Sequence, residues 1–250
     1  MKINVITFAG TTMLENKKNR DYLAYGIFRD YTSEAKRFIE TTKPYKFNNR
    51  LILDMEWLEK TKEYKENPKT FAEPPFHWAF KPISIYYTME KLMSDGDVLL
   101  YADSNYGMRN YPQRLIDIAL QENIYAYDHS PVYYQNACWT YRDTFVKMKC
   151  DEEKYWKAPQ FHADVLCIKK CKSTMNFIEE WKKYVCDYET IGVNNLINFP
   201  CYNDHRDDQS VFSILAVKHN IKISKKPNPC LIELPPIDLK NRDFKNAPYR

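Results

Sequence analysis

Glycine is scarce in this chain: 5 among 250 residues, against 20 tyrosines and 13 phenylalanines. Neither GxGxxG nor GxxxxGK[ST] occurs, which excludes the two glycine-rich cradles that hold phosphates by close backbone approach. The 7 cysteines include no CxxC, so the spacing matches neither a zinc site nor a compact disulfide framework. Their odd number and wide separation predict buried, reduced thiols. No apolar run approaches the roughly 20 residues that span a bilayer. Met1–Thr7 turns polar too soon for a signal peptide. Together these absences predict a soluble, cytoplasmic chain with no transmembrane segment. A strong charge of one sign is missing as well. With 37 basic and 33 acidic residues the net charge is +4, too small an excess for the concentrated basic face of a nucleic-acid binder.

What is present is apolar and aromatic: 44% and 15% of the residues. That much surface can offset the entropy of folding, and the length suits one large domain. Lys2 to Phe8 alternates and is β-branched, which predicts a central strand followed by a loop at Ala9-Gly10-Thr11-Thr12. A helix is expected from about Asn19 to Phe38, interrupted near Tyr31-Thr32-Ser33, then a strand from Arg50 to Met55. Lys60 to Pro75 is charged and ends in Pro74-Pro75, so it reads as a loop or surface insertion. Pro82 suits the first turn of a helix carrying Ile83, Tyr86, Tyr87, Met89, Leu92 and Met93, stopped at Ser94-Asp95-Gly96.

Asp97 to Ala102 then reads as a buried strand with Asp103-Ser104-Asn105 beyond its end. Ala163 to Ile168 is a further strand. Ser173 or Thr174 is expected to cap a helix bearing Phe177, Ile178, Trp181, Tyr184, Val185 and Tyr188. A last helix starts near Asp204 or Asp207 and buries Val211, Phe212, Leu215 and Ala216. Beyond Pro227 the proline-rich tail is expected to be irregular. Alternating strands and helices predict an α/β fold, a mostly parallel sheet flanked by helices.

Three polar constellations carry chemistry. In open α/β sheets ligands bind outside the carboxyl ends of the strands, where Asp103 and Asn105 offer oxygen ligands to Mg²⁺ or Mn²⁺. The same triplet also makes an Asx turn. Asp204-His205-Arg206-Asp207-Asp208-Gln209-Ser210 reads as a helix N-terminus. It equally offers His205 to a metal and Asp208 or Asp207 as a base. Phe76-His77-Trp78-Ala79-Phe80-Lys81-Pro82 could hold a sugar face and a phosphate, or form a hydrophobic staple with a solvated lysine.

Taken together and in this order, these segments resemble glycosyltransferases of the GT-A fold. Members commonly show a segment like GYWxWKP, an amphipathic helix, and a strand ending in an Asp-containing triplet. QxxA, a helix ending in EW, and HRxDQS follow. Here Phe76 to Pro82 and Leu99 to Asn105 correspond to the first two. Gln160-Phe161-His162-Ala163, Glu180-Trp181 and His205 to Ser210 correspond to the rest. The likeness spans roughly residues 76 to 217.

The resemblance implies a single GT-A (Rossmann-like) domain over residues 1–250. Its nucleotide-binding half covers about 1–110, its acceptor-side half about 111–226, and an irregular tail 227–250. It implies transfer of a sugar, with a hexose and a UDP-sugar donor favoured, to a glycan or other acceptor hydroxyl, assisted by Mn²⁺ or Mg²⁺. On that reading Thr7, Phe8, Ala9, Lys81, Asp103 and Ser104 meet the donor. Asp103, Asn105 and His205 hold the metal, Asp208 and then Asp207 act as base, and Gln160, His162 and Trp78 face the acceptor. This chain departs from the pattern at Asn105, a neutral ligand, at Phe80 in place of a second Trp, and at His77 in place of a Tyr. A nucleotidyltransferase and a catalytically silent carbohydrate-binding or scaffold protein are the alternatives.

Overall fold

The computed structural model describes residues 1–10, 30–72, 76–127, 135–222 and 230–237. At its centre lies a five-stranded sheet. Strand β1 (Ile3–Ala9) pairs in parallel with β2 (Asn49–Asp54) on one side and β3 (Val98–Ala102) on the other. Strand β6 (Val165–Lys169) pairs antiparallel with both β3 and β5 (Ile124–Tyr125), so the order is β2-β1-β3-β6-β5. Four of these strands run one way and β6 runs against them. A small second sheet joins β4 (Tyr106–Met108) to β7 (Leu231–Glu233).

The period of two along the strands sorts the core into two layers. Ile6, Phe8, Leu99, Tyr101, Leu166 and Ile168 share one cluster with three helices: α4 (Phe80–Leu92), α8 (Lys172–Cys186) and α10 (Asp207–Lys218). Val5, Leu100, Ala102, Val165 and Cys167 share the other with Phe38 of α1 (Tyr31–Thr42) and Leu115, Ile116 and Ala119 of α5 (Gln113–Glu122). Helices on both faces are what a sheet buried on both sides requires.

Several expectations change. The helix foreseen from Asn19 begins, among the described residues, at Tyr31, with Asp30 as its cap accepting from the Ser33 N–H at 2.9 Å. The foreseen break is that N-terminus, and residues 19–29 lie outside the described residues, as do Thr11, Thr12, Pro74 and Pro75. The short helix α2 (Met55–Leu58) precedes the charged span after Lys60, which itself holds α3 (Lys62–Glu66). It also packs inward: Thr70 and Phe71 are buried, and Glu63 meets Lys182 at 2.5 Å.

Cys171, not Ser173 or Thr174, caps α8; its N–H donates to Thr174 Oγ1 at 3.0 Å. The tail is regular enough to form β7, and Asp30 N–H donates to the Ile237 carbonyl at 2.8 Å. Prolines at 235 and 236 follow the strand rather than interrupt it. No helix of the described residues is long and apolar enough to cross a membrane.

The thiols also depart from expectation. Cys138 and Cys201 form a disulfide across 63 residues, while Cys150, Cys167, Cys186 and Cys230 stay free and buried and Cys171 is half-buried. No local signal marks so distant a pair. Thiol titration of the unfolded, unreduced chain should therefore count 5 groups, rising to 7 after reduction. Cys138→Ser should lower the stability measured in urea by about 2–4 kcal/mol, because the closed loop no longer restricts the unfolded chain.

Candidate active site

The three segments singled out by the sequence meet where β3 ends. Lys81, in the first turn of α4, places Nζ 3.4 Å from Asp103 Oδ1 and 3.4 Å from Asp208 Oδ2. Tyr101 and Asp103 are two residues apart, so they leave the strand on one side; the Tyr101 hydroxyl donates to Asp103 Oδ1 at 2.8 Å. Lys81 is 4% exposed and Asp208 1%. Neither Asp208 oxygen takes a hydrogen bond, so the ammonium is its compensation. Trp181 Nε1 donates to the Asp208 backbone carbonyl at 2.9 Å and fixes the start of α10.

Burial alone would push the Lys81 ammonium down. Asp103, Asp208 and Asp164 outweigh it and hold Lys81 above the ordinary lysine value. Burial drives Asp208 up to about 8; Lys81 opposes this, and Asp103 and Asp207 add to it. Asp103, also raised by burial against the pull of Lys81, lies at the opening with a third of its side chain accessible.

A fourth participant was not legible in the sequence. Because β6 is antiparallel to β3, its N-terminus lies at the same edge, and Asp103 N–H donates to the Asp164 carbonyl at 2.8 Å. The Asp164 carboxylate accepts from Tyr106 at 2.5 Å and Tyr127 at 3.2 Å, with His162 Nδ1 at 3.5 Å. Burial raises its carboxyl, but His162, the tyrosine hydroxyl and Lys81 together hold it well below the carboxylate range. The only signal that could have found it is the sense of β6, and local sequence does not encode that.

A second pair adjoins this cluster. His77 Nδ1 lies 2.7 Å from Asp207 Oδ1. Phe76, His77 and Trp78 have φ of 58°, 51° and 54°, and Asp207 has φ 46°. Left-handed backbone costs a non-glycine residue roughly 1–2 kcal/mol, so this turn stores strain beside the ion cluster.

The other sequence-predicted residues divide. Phe8 stacks on Phe80 with ring centres 4.2 Å apart, and Trp78 tilts against Phe80 at 6.2 Å, so these rings gather at the end of β1. Ala9 closes that strand, and Thr7 is buried within it with its hydroxyl unpartnered. His162 stacks on Tyr127 at 4.1 Å, and Gln160 is wholly buried with both amide atoms unpartnered.

Ser104 reaches Glu34 rather than the Lys81 group, its Oγ 3.5 Å from the carboxylate. Asn105 donates to Glu233 at 2.8 Å, toward the small sheet. His205 stacks on Tyr141 at 4.2 Å, and its Nδ1 accepts the Tyr141 N–H at 3.2 Å. Asn105 and His205 thus each have a partner outside the Lys81, Asp103 and Asp208 group. Among the described residues no three His, Cys, Asp or Glu side chains are grouped to hold an ion. The Asp103 oxygen nearest the cluster is already shared by Tyr101 and Lys81.

Compared with known proteins, the chain matches no family model and no curated protein. Among solved structures it is similar to mouse xyloside xylosyltransferase 1, apo form, with a TM-score of 0.43 and 9% identity. The alignment covers 90% of this chain and 85% of that one.

The raised carboxyl of Asp208 has a measurable consequence. Below about pH 4 both folded and unfolded states hold its proton. From there to about 8 the folded state keeps a proton that the unfolded state releases, so its contribution to stability falls as pH rises. Asp208→Asn removes that slope. Thermal melts from pH 4 to 9 should show the variant gaining on the parent across this window, and parallel pH curves would contradict the assignment.

Proposed function

We propose that this protein is a glycosyltransferase, moving a sugar from a nucleoside-diphosphate sugar, a UDP-hexose favoured, to an acceptor hydroxyl. The observation that carries this reading is the convergence of Lys81, Asp103 and Asp208 on one point at the carboxyl end of β3. They come from three separate segments of the glycosyltransferase-like pattern, 22 and 105 positions apart. Two of the three are shut away from solvent, a costly arrangement for ions unless they are paired.

In this reading the stacked Phe8 and Phe80, with Trp78 beside them, offer flat apolar faces to a base or sugar ring. Lys81 supplies positive charge near the breaking bond, where a diphosphate gathers negative charge as it leaves. Asp103, partly open, meets the donor sugar and is held still by Tyr101 and Lys81. Asp208, closed off against Lys81, holds the lysine in place rather than acting as the base. No step here runs through a metal ion.

A panel of UDP-, GDP- and TDP-sugars tests the reading. One donor should raise the melting temperature by linkage and be slowly hydrolysed or transferred. Asp103→Ala should lose about a hundredfold or more in turnover while melting cooperatively. Full turnover in that variant would remove Asp103 from the donor site. Absence of any donor effect on the parent protein would remove the glycosyltransferase reading itself.

A further inference from the structure

We infer that His77 and Asp207 form a catalytic dyad that removes the proton from the acceptor hydroxyl, an inference that rests on the sugar-transfer reading above. The two side chains come from positions 130 apart and meet with Nδ1 2.7 Å from Oδ1. With Nδ1–H donating to the carboxylate, the imidazole is fixed as the tautomer whose Nε2 carries a lone pair. Among the described residues Nε2 takes no hydrogen bond. The Tyr188 ring meets the imidazole edge-on at 6.0 Å and limits its rotation. A carboxylate that orients an imidazole and leaves its far nitrogen free is the arrangement general bases share.

Backbone geometry supports a purpose for the pair. Both residues sit at positive φ, His77 inside a run of three left-handed residues that includes no glycine. Such strain persists only where the surroundings enforce it, and it concentrates at functional sites. Access points the same way. The His77 and Asp207 side chains are 19% and 29% exposed, whereas Asp208 is closed off against Lys81. His77 lies four residues before Lys81 and Asp207 one before Asp208, so the dyad borders the ion cluster along both segments.

The step balances without further reagents. The acceptor oxygen attacks the anomeric carbon and forms a new C–O bond, while the bond to the phosphate oxygen breaks. The electron pair leaves with the nucleoside diphosphate. The hydroxyl proton passes to His77 Nε2, and Asp207 stabilises the resulting imidazolium. The product is inverted at the anomeric carbon.

Two arms test the dyad separately from the donor reading. In the protein without donor, diethylpyrocarbonate followed by peptide mass mapping should acylate His77 several-fold faster than the buried His205. Asp207→Asn, which tolerates the left-handed backbone, should slow it. Acylation of His77 no faster than His205, or insensitive to Asp207→Asn, overturns the dyad.

In the second arm, His77→Gly relieves the positive φ and should melt within a few degrees of the parent. Its turnover of a UDP-hexose should fall by about a hundredfold to ten-thousandfold, and added imidazole should restore at least about tenfold of it. An unchanged rate, or a loss that imidazole cannot repair, overturns the assignment. If the acylation pattern appears but the parent turns over no UDP-sugar, the donor reading fails instead of the His77–Asp207 pairing.

Discussion

The ammonium of Lys81, buried between two carboxylates, is the constraint on which the rest of this site depends. A lysine removed from water cannot stay charged without close anions, and carboxylates removed from water cannot stay charged without a cation. Asp103 and Asp208 therefore hold Lys81 as much as it holds them. Because Lys81 opens α4, Asp103 follows β3 and Asp208 opens α10, one ionic contact ties two helices to the centre of the sheet. Trp181 completes the tie from α8 through the Asp208 carbonyl.

Around this group the molecule spends stability on geometry. A left-handed turn at Phe76–Trp78 and a left-handed Asp207 bring His77 and Asp207 together at the mouth. On the far side, Asp164 is fixed by two tyrosine hydroxyls and His162, which itself stacks on Tyr127. The Cys138–Cys201 bridge and the Asn203 N–H to Cys138 carbonyl bond, 2.7 Å, anchor the loop that leads to His205.

Much of the fold was legible because its signals are local. Alternation in β1, the apolar run of β3 and the helical spacing of Ile83, Met89 and Met93 report burial on a known face, although Leu92 of the same expected stripe is exposed. The structure places Ile83 and Met89 in one cluster with Ile6 and Leu99. The convergence of Lys81, Asp103 and Asp208 was legible only through the order of motifs, because no spacing rule links residues so far apart. Asp164 escaped because its place depends on the reversed direction of β6. Strands β4 and β7 escaped because three residues each are too short for periodicity to register. The partners of Asn105 and His205, Glu233 and Tyr141, lie in neither motif.

By itself the sequence determined the class of the molecule: an α/β fold with aromatic-rich layers, and a polar triplet at the end of a buried strand. Those follow from composition and from periods of two and 3.6, which act within a few residues. Tertiary structure decided which polar groups face one another. It set Lys81 against Asp103, joined Asn105 to Glu233 and Ser104 to Glu34, added Asp164, and paired His77 with Asp207. The reason is physical. Burial and electrostatic pairing depend on distances between segments that only packing fixes, and a carboxylate beside an ammonium is a different chemical group from one beside water.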